Sequence, residues 1–227
     1  MSVTLNVSCT TFFTVLLQRA NVLGWFLLTL GLAGAHVFCR AAEVEVVAVR
    51  FTPARPASNP SVPWLEATVG LNVVPPPDAP GRMVSRVRVQ LWVGVESAAL
   101  SGSTARTEYY RAEVECLALP AGRSEVRFYF PPEWVKRDQL QGAPRHWAVE
   151  LAVAGRAVVP VRAASATALA EPAARRAFLV AALAGAPVND GWLQPQYFTP
   201  FAQEYPRSTV TFVRREPSLA PPARASP

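Results

Sequence analysis

Between residues 42 and 162 apolar and polar side chains alternate with a period of two, and that rhythm confines the segment to strands with one face on a core. The clearest run is 83–95, where Val87, Val89, Leu91, Val93 and Val95 share one face and Arg86, Arg88, Gln90, Trp92 and Gly94 the other. In 64–74, Leu65, Ala67, Val69, Leu71 and Val73 turn inward against Glu66, Thr68 and Asn72. In 108–119 the inward set is Tyr110, Ala112, Val114, Cys116 and Ala118. Val126, Phe128 and Phe130 alternate with Glu125, Arg127 and Tyr129, and Trp147, Val149, Leu151 and Val153 with His146, Ala148 and Glu150. A hairpin at Ala154-Gly155-Arg156 returns the chain through 157–162, and the first run, 44–51, changes parity at Val46 and Val47, which predicts a bulge or a strand that swaps sheets.

About seven strands in about 120 residues, with no helix long enough for a parallel crossover, predict an all-β fold. The expected form is an antiparallel immunoglobulin/fibronectin-like β-sandwich with Trp147 in its core; a closed barrel is the alternative. Prolines 53, 56, 60, 63, 75, 76, 77 and 80 lie between the runs, and Pro160 alone falls inside one, which puts that run on a sheet edge. Residues 131–140 predict one or two helical turns between sheets, and 169–183 an α-helix begun by Glu171-Pro172, striped by Phe178, Leu179, Ala182 and Leu183, and stopped by Gly185 and Pro187. The aromatic segment GWLQPQYFTPF (191–201) should cover an apolar surface in extended form, 208–213 adds an eighth strand, and the Pro/Ala-rich 214–227 has too few apolar residues to fold.

The chain thus divides into 1–41, a sandwich over 42–162, a helix and extended segment over 163–213 packed on it, and a disordered tail over 214–227. Residues 1–41 contain no acidic side chain, carry Arg19 ahead of the apolar run 22–38, and end at Cys39-Arg40-Ala41, the outline of a secretory signal. Seventeen residues interrupted by Gly24, Gly31 and Gly34 are short of the roughly 20 that a spanning helix needs, so an uncleaved membrane anchor is the second reading. Bulky His36, Val37 and Phe38 before Cys39 argue against lipidation. After cleavage Cys116 is the one cysteine left, facing inward as an inert thiol, and the fold must be held by its apolar core.

Residue types and spacing exclude several kinds of chemistry. The mature chain has a single histidine, His146, and no Cys/His metal spacing, serine-nucleophile elbow or phosphate-binding glycine motif, so neither catalytic residues nor a metal or cofactor are expected. Glu113 and Glu115, about 7 Å apart on one strand face, have a separation known from glycoside hydrolysis, but Arg111 and Arg127 predict a solvated charge ladder instead. The net charge of +6 comes from scattered arginines, with Lys136 the sole lysine, and gives no phosphate-binding stripe for nucleic acid. What remains is Arg86, Arg88 and Trp92 on one outward face. There Trp92 stacks on a partner or a sugar ring, or else is covered by the chain's own C-terminal segment.

The strand pattern, the inward Trp147 and the lack of catalytic motifs resemble the immunoglobulin-like domains of secreted bacterial envelope proteins, some of them associated with pilus assembly. The resemblance spans roughly residues 43–162 and lacks the intersheet cysteine pair of antibody-type domains. It implies an exported, non-enzymatic protein, periplasmic or at the cell surface, that serves a structural or adhesive role through contact with an envelope protein. A carbohydrate-binding module is the alternative, with a glycan as ligand and stacked aromatics as its requirement.

Overall fold

The computed structural model describes residues 42–97, 106–137, 140, 142–204 and 211–213. The proposed leader and tail lie outside them.

The alternating runs form strands β1 (Glu43–Ala54), β2 (Trp64–Val74), β3 (Met83–Ser97), β4 (Arg106–Pro120), β5 (Gly122–Phe130) and β6 (His146–Val153), followed by a two-residue β7 (Arg156–Ala157). The C-terminal part adds β8 (Gln194–Pro195) and β9 (Thr211–Val213). All pairings are antiparallel, giving one sheet in the order β1-β2-β5-β8 and another in the order β7-β6-β3-β4-β9. The inward residues of both sheets, among them Leu65, Val69 and Phe128 from the first and Val89, Leu91 and Tyr110 from the second, belong to one buried cluster. The sheets therefore face each other across a shared core, a sandwich-like arrangement in which each buried aliphatic or aromatic side chain stabilises the fold by about 1.5–3 kcal/mol.

Two irregularities interrupt the rhythm. The expected parity change in the first strand is a bulge: Val46 pairs with Leu71 and Ala48 with Gly70, leaving Val47 extra and half exposed. The second was not expected. Arg86 has φ +55°, in the left-handed region that non-glycine residues rarely enter, and the strand turns over there so that Val84 and Val87 both face the core. The partner strand follows: Cys116 and Leu119 are buried and Leu117 is exposed, which corrects the assignment of Ala118 to the inward set.

Trp147 also departs from expectation. It sits at the rim of the core, half buried, tilted against Phe51 at 5.9 Å, whereas among the described residues the buried tryptophans are Trp92 and Trp134. The hairpin is tight, with φ +48° at Ala154 and +82° at Gly155, the values a two-residue turn of type I′ requires. Its return strand, however, covers only Arg156 and Ala157, with one further bond from the Val158 N–H to the Leu151 carbonyl at 2.9 Å. Residues 158–161, Pro160 included, then have no regular structure, and the chain meets β6 again through the bridge Ala148–Ser165.

Helix α1 (Pro132–Arg137) lies between β5 and β6, which belong to different sheets, as expected of a crossing turn. Helix α2 (Pro172–Gly185) starts three residues later than the apolar pattern predicts. Proline disfavours helical geometry in the residue before it, and Glu171 is extended at φ −76°, ψ 130°, so Leu169 falls in a separate 3-10 turn, Thr167–Leu169. The segment 191–201 is not extended: apart from β8 it folds into 3-10 turns at Gln196–Phe198 and Pro200–Gln203.

Candidate functional site

The outward face of the second sheet carries the side chains singled out in the sequence, and α2 divides it into a covered and an open half. In the covered half, Trp92 is 3% exposed, buried with Ala148 beneath Leu169, Phe178, Ala182 and Ala186. Its indole Nε1 donates to Glu150 Oε2 at 2.8 Å, and the Arg111 guanidinium carbon lies 5.7 Å from the ring centroid. Two glycines permit this docking. A Cβ on Gly94 would come within 3.0 Å of Phe178 Cε2, and one on Gly185 within 2.7 Å of Tyr109 Cδ2. Gly185 thus serves close packing, and the chain continues past it into a further 3-10 turn, Ala186–Asn189, where Asn189 Nδ2 donates to the Tyr109 carbonyl at 3.1 Å. Leu183, predicted on the packing stripe, faces solvent with Val180, because Phe178, Ala182 and Ala186 at four-residue spacing form the contact row.

Trp92 is therefore not a free stacking surface, and its cover is α2 rather than the aromatic segment. That segment packs elsewhere. Phe201 stacks on Tyr129 at 4.3 Å and meets Trp64 edge-on at 5.8 Å, Leu193 and Tyr197 enter the main core, and Trp192 meets Trp134 at 4.9 Å. The Gln196 amide holds its turns by donating to the carbonyls of Phe201 and Glu204, both at 3.0 Å. The outward aromatics consequently separate into two covered groups on different sheets: Trp92 with Tyr109 under α2, and Trp64 with Tyr129 under Phe201.

The open half holds Arg86 and Arg88, with side chains 70% and 46% exposed. They form the charge ladder expected on this face, but with different partners: Arg86 Nε is 3.2 Å from Glu115 and Arg88 Nε is 3.4 Å from Glu113. Both of the spaced carboxylates are thus engaged by β3 arginines. Arg127 belongs to the other sheet, where it meets Glu66 and Glu125. Two apolar side chains accompany the arginines: Leu117, the residue of β4 opposite Arg86, is 44% exposed, and Met83 at the start of β3 is 46% exposed. Leu117 has outward parity in the alternation of 108–119, whereas Met83 has the parity of the inward set of 83–95 and is exposed only because of the turnover at Arg86.

Below this face Cys116 is fully buried as expected of an inert thiol; desolvation, with Glu115 adding to it, pushes its pKa up to about 12. His146 lies against Phe178 and 3.9 Å from Glu96. Another cluster went unnoticed in the sequence: Arg137 covers the Trp134 ring at 3.2 Å and donates to Glu108 at 2.6 Å and to the Tyr110 hydroxyl at 2.9 Å. Only the i, i+3 spacing of Trp134 and Arg137 foreshadowed it. A cleft partly open to solvent lies among Glu45, Val46, Val149, Leu151 and residues 158–161, with far too little free space for a small-molecule site. Among the described residues no group of three or more His, Cys, Asp or Glu gathers closely enough to hold a metal ion, and no helix is long and apolar enough to cross a membrane.

No family model matches the chain, and no curated protein does. Among solved structures it is similar to a crystal structure of a protein from Akkermansia muciniphila, with a TM-score of 0.58 and 13% sequence identity over 77% of this chain and 94% of that one. At that identity the similarity is one of fold.

Proposed function

We propose that this chain is an exported, non-enzymatic immunoglobulin/fibronectin-like module of the cell envelope, structural or adhesive and in the pilus-associated manner its strand pattern resembles, that binds a protein partner through the open half of its second sheet. The single observation that carries the reading is the grouping of exposed Met83 and Leu117 around Arg86 and Arg88, on a face whose other half α2 seals. Arginine and methionine are enriched in protein interfaces. The strand order supports the fold assignment. In its favour, β1-β2-β5 and β7-β6-β3-β4 run in the spatial orders A-B-E and G-F-C-C′, whereas β8, beside β5 where D would lie, comes from the C-terminal segment rather than from between β4 and β5.

Binding of envelope proteins to the immobilised chain tests the reading. Leu117→Asp should abolish capture of a discrete partner at unchanged thermal stability, Arg86→Gln, which keeps a polar group beside buried Glu115, should weaken it, and undiminished capture by both variants contradicts the reading. A glycan that binds and is lost on Trp192→Ala would favour the carbohydrate-binding alternative. The ring pairs at that end cross steeply, at 68° for Trp134 and Trp192 and 62° for Tyr197 and Phe198, which does not offer a sugar a flat platform. Export is tested by the mass of the chain recovered from the envelope: a first residue at 42 means cleavage, and a first residue before 34 means a tether.

A further inference from the structure

We propose that the outer face of α2 is a dimer interface, on which a second copy of this chain docks the same helix antiparallel. The proposal does not rest on the contact surface above, which lies on the half of the sheet that α2 leaves open.

α2 has 14 residues, and its inner row of Phe178, Ala182 and Ala186 packs over Trp92. At about 3.6 residues per turn the opposite side carries Ala173, Ala177, Val180 and Ala184, flanked by Arg176 and Leu183, all of them exposed. Val180 is 66% and Leu183 61% exposed, and Val188, in the 3-10 turn that continues the helix, is 81% exposed. A surface helix ordinarily turns charged and polar groups to water, and one that is apolar on every side is ordinarily buried on every side. The helix is also too short to cross a bilayer, which takes about 20 residues, so its outer face needs a surface to pack against.

The charges of the helix select that surface. Both of its cations, Arg175 and Arg176, lie near the N-terminus, where the helix dipole disfavours them, and the last turn holds no basic side chain. Arg175 turns inward and donates to the Val149 carbonyl at 2.9 Å, whereas Arg176 is exposed, with no hydrogen-bond or ion-pair partner among the described residues. An antiparallel copy supplies one. With Val180 on the two-fold axis, residue 176 of each helix lies opposite residue 184 of the other, so each Arg176 stands beside the negative end of the facing dipole. In that register Ala177 meets Leu183, a small side chain against a large one, and Val180 meets its own copy. The two Arg176 positions are then about 12 Å apart along the pair, beyond the screening length of roughly 8 Å at physiological salt.

Sedimentation velocity of the full chain in mild detergent, over a concentration series, measures the association. A reversible dimer is expected for the native chain. Val180→Lys and Val180→Glu should each abolish it, because either sets like charges together at the axis, and Arg176→Glu should weaken it by about tenfold. With Cys9 and Cys39 replaced by serine and Cys116 buried, Val180→Cys should oxidise to a disulfide-linked dimer, whereas Ala174→Cys, on the side of the helix, should not. Circular dichroism confirms the folding of each variant, and residue 180, being exposed, tolerates substitution without disturbing the core. A monomer throughout, or a dimer indifferent to both charges at position 180, overturns the proposal. So does binding to phosphatidylglycerol vesicles by a monomeric chain that survives Val180→Lys and fails in Val180→Glu, which would assign the face to a lipid surface. Capture of the envelope partner should be unchanged in the Val180 variants, so the two readings fail separately.

Discussion

Replacing Gly185 by alanine sets two effects of opposite sign against each other. Gly185 is the last residue of α2, with helical φ −90° and ψ −31°, so on helix propensity alone an alanine there stabilises the chain by up to about 1 kcal/mol. The packing says otherwise. The new Cβ would lie 2.7 Å from Tyr109 Cδ2, 3.4 Å from Cγ and 3.5 Å from Cβ, at the root of the ring, where no rotation of a flexible tip relieves the overlap. Overpacking of that kind costs about 1–3 kcal/mol, so the net expectation is destabilisation of about 1–2 kcal/mol. Urea unfolding followed by tryptophan fluorescence measures it, because α2 covers Trp92. Removing the ring should reverse the sign: in a Tyr109→Ala background, Gly185→Ala should be neutral or stabilising. A Gly185→Ala chain more stable than the native one would mean that α2 does not dock on Tyr109, and the division of the sheet face into halves would fail with it.

Four further outcomes follow from named positions. Val89→Asp, at a fully buried site, should prevent folding, whereas Arg88→Asp one residue away should change stability by less than about 0.5 kcal/mol; equal damage by circular dichroism would mean the faces are misassigned. Arg86→Val should destabilise by about 1–2 kcal/mol despite valine's preference for strands, because its branched side chain tolerates φ +55° poorly, and Arg86→Gly should be near neutral; thermal unfolding compares them. Ser124 Oγ is buried without a hydrogen-bond partner, so Ser124→Ala should leave stability unchanged or raise it by up to about 1 kcal/mol in chemical denaturation. Cys116 has its pKa raised from 9.0 to about 12, so above pH 9 the unfolded chain releases a proton that the folded chain keeps; stability should fall from pH 9 toward 12, with a shallower slope in Cys116→Ala. Tyr129, raised in the same direction by burial and Glu66, leaves part of the slope in place.

Much of the architecture was legible because period two is a local property. Val87 to Val95, Leu65 to Val73 and the bulge at Val47 all follow from which residues repeat on alternate sides. Departures arose where a backbone angle or a distant segment decided the outcome. Nothing in the letters around Arg86 announces a positive φ, yet it reverses the strand, exposing Met83 where Val84 is buried, and on the partner strand Leu119 is buried in place of Ala118. Trp92 has the parity of a surface residue, and only a helix some 80 residues further on makes it a core residue. Phe201 likewise decides the fate of Trp64 and Tyr129. Parity thus identifies the face a side chain occupies, whereas the packing of later segments determines whether that face meets water. The candidate site followed the same division: Arg86, Arg88 and Leu117 had outward parity, while Met83 had the parity of the core.

A photoreactive phenylalanine analogue introduced in living cells at Leu117, and in a second strain at Val180 on the solvent side of α2, addresses the contact surface most directly. Cross-linking to one defined envelope protein from position 117, absent from position 180 and weakened by Arg86→Gln, is the result expected. Adducts to that protein of equal yield from both positions, or from position 180 alone, would contradict it.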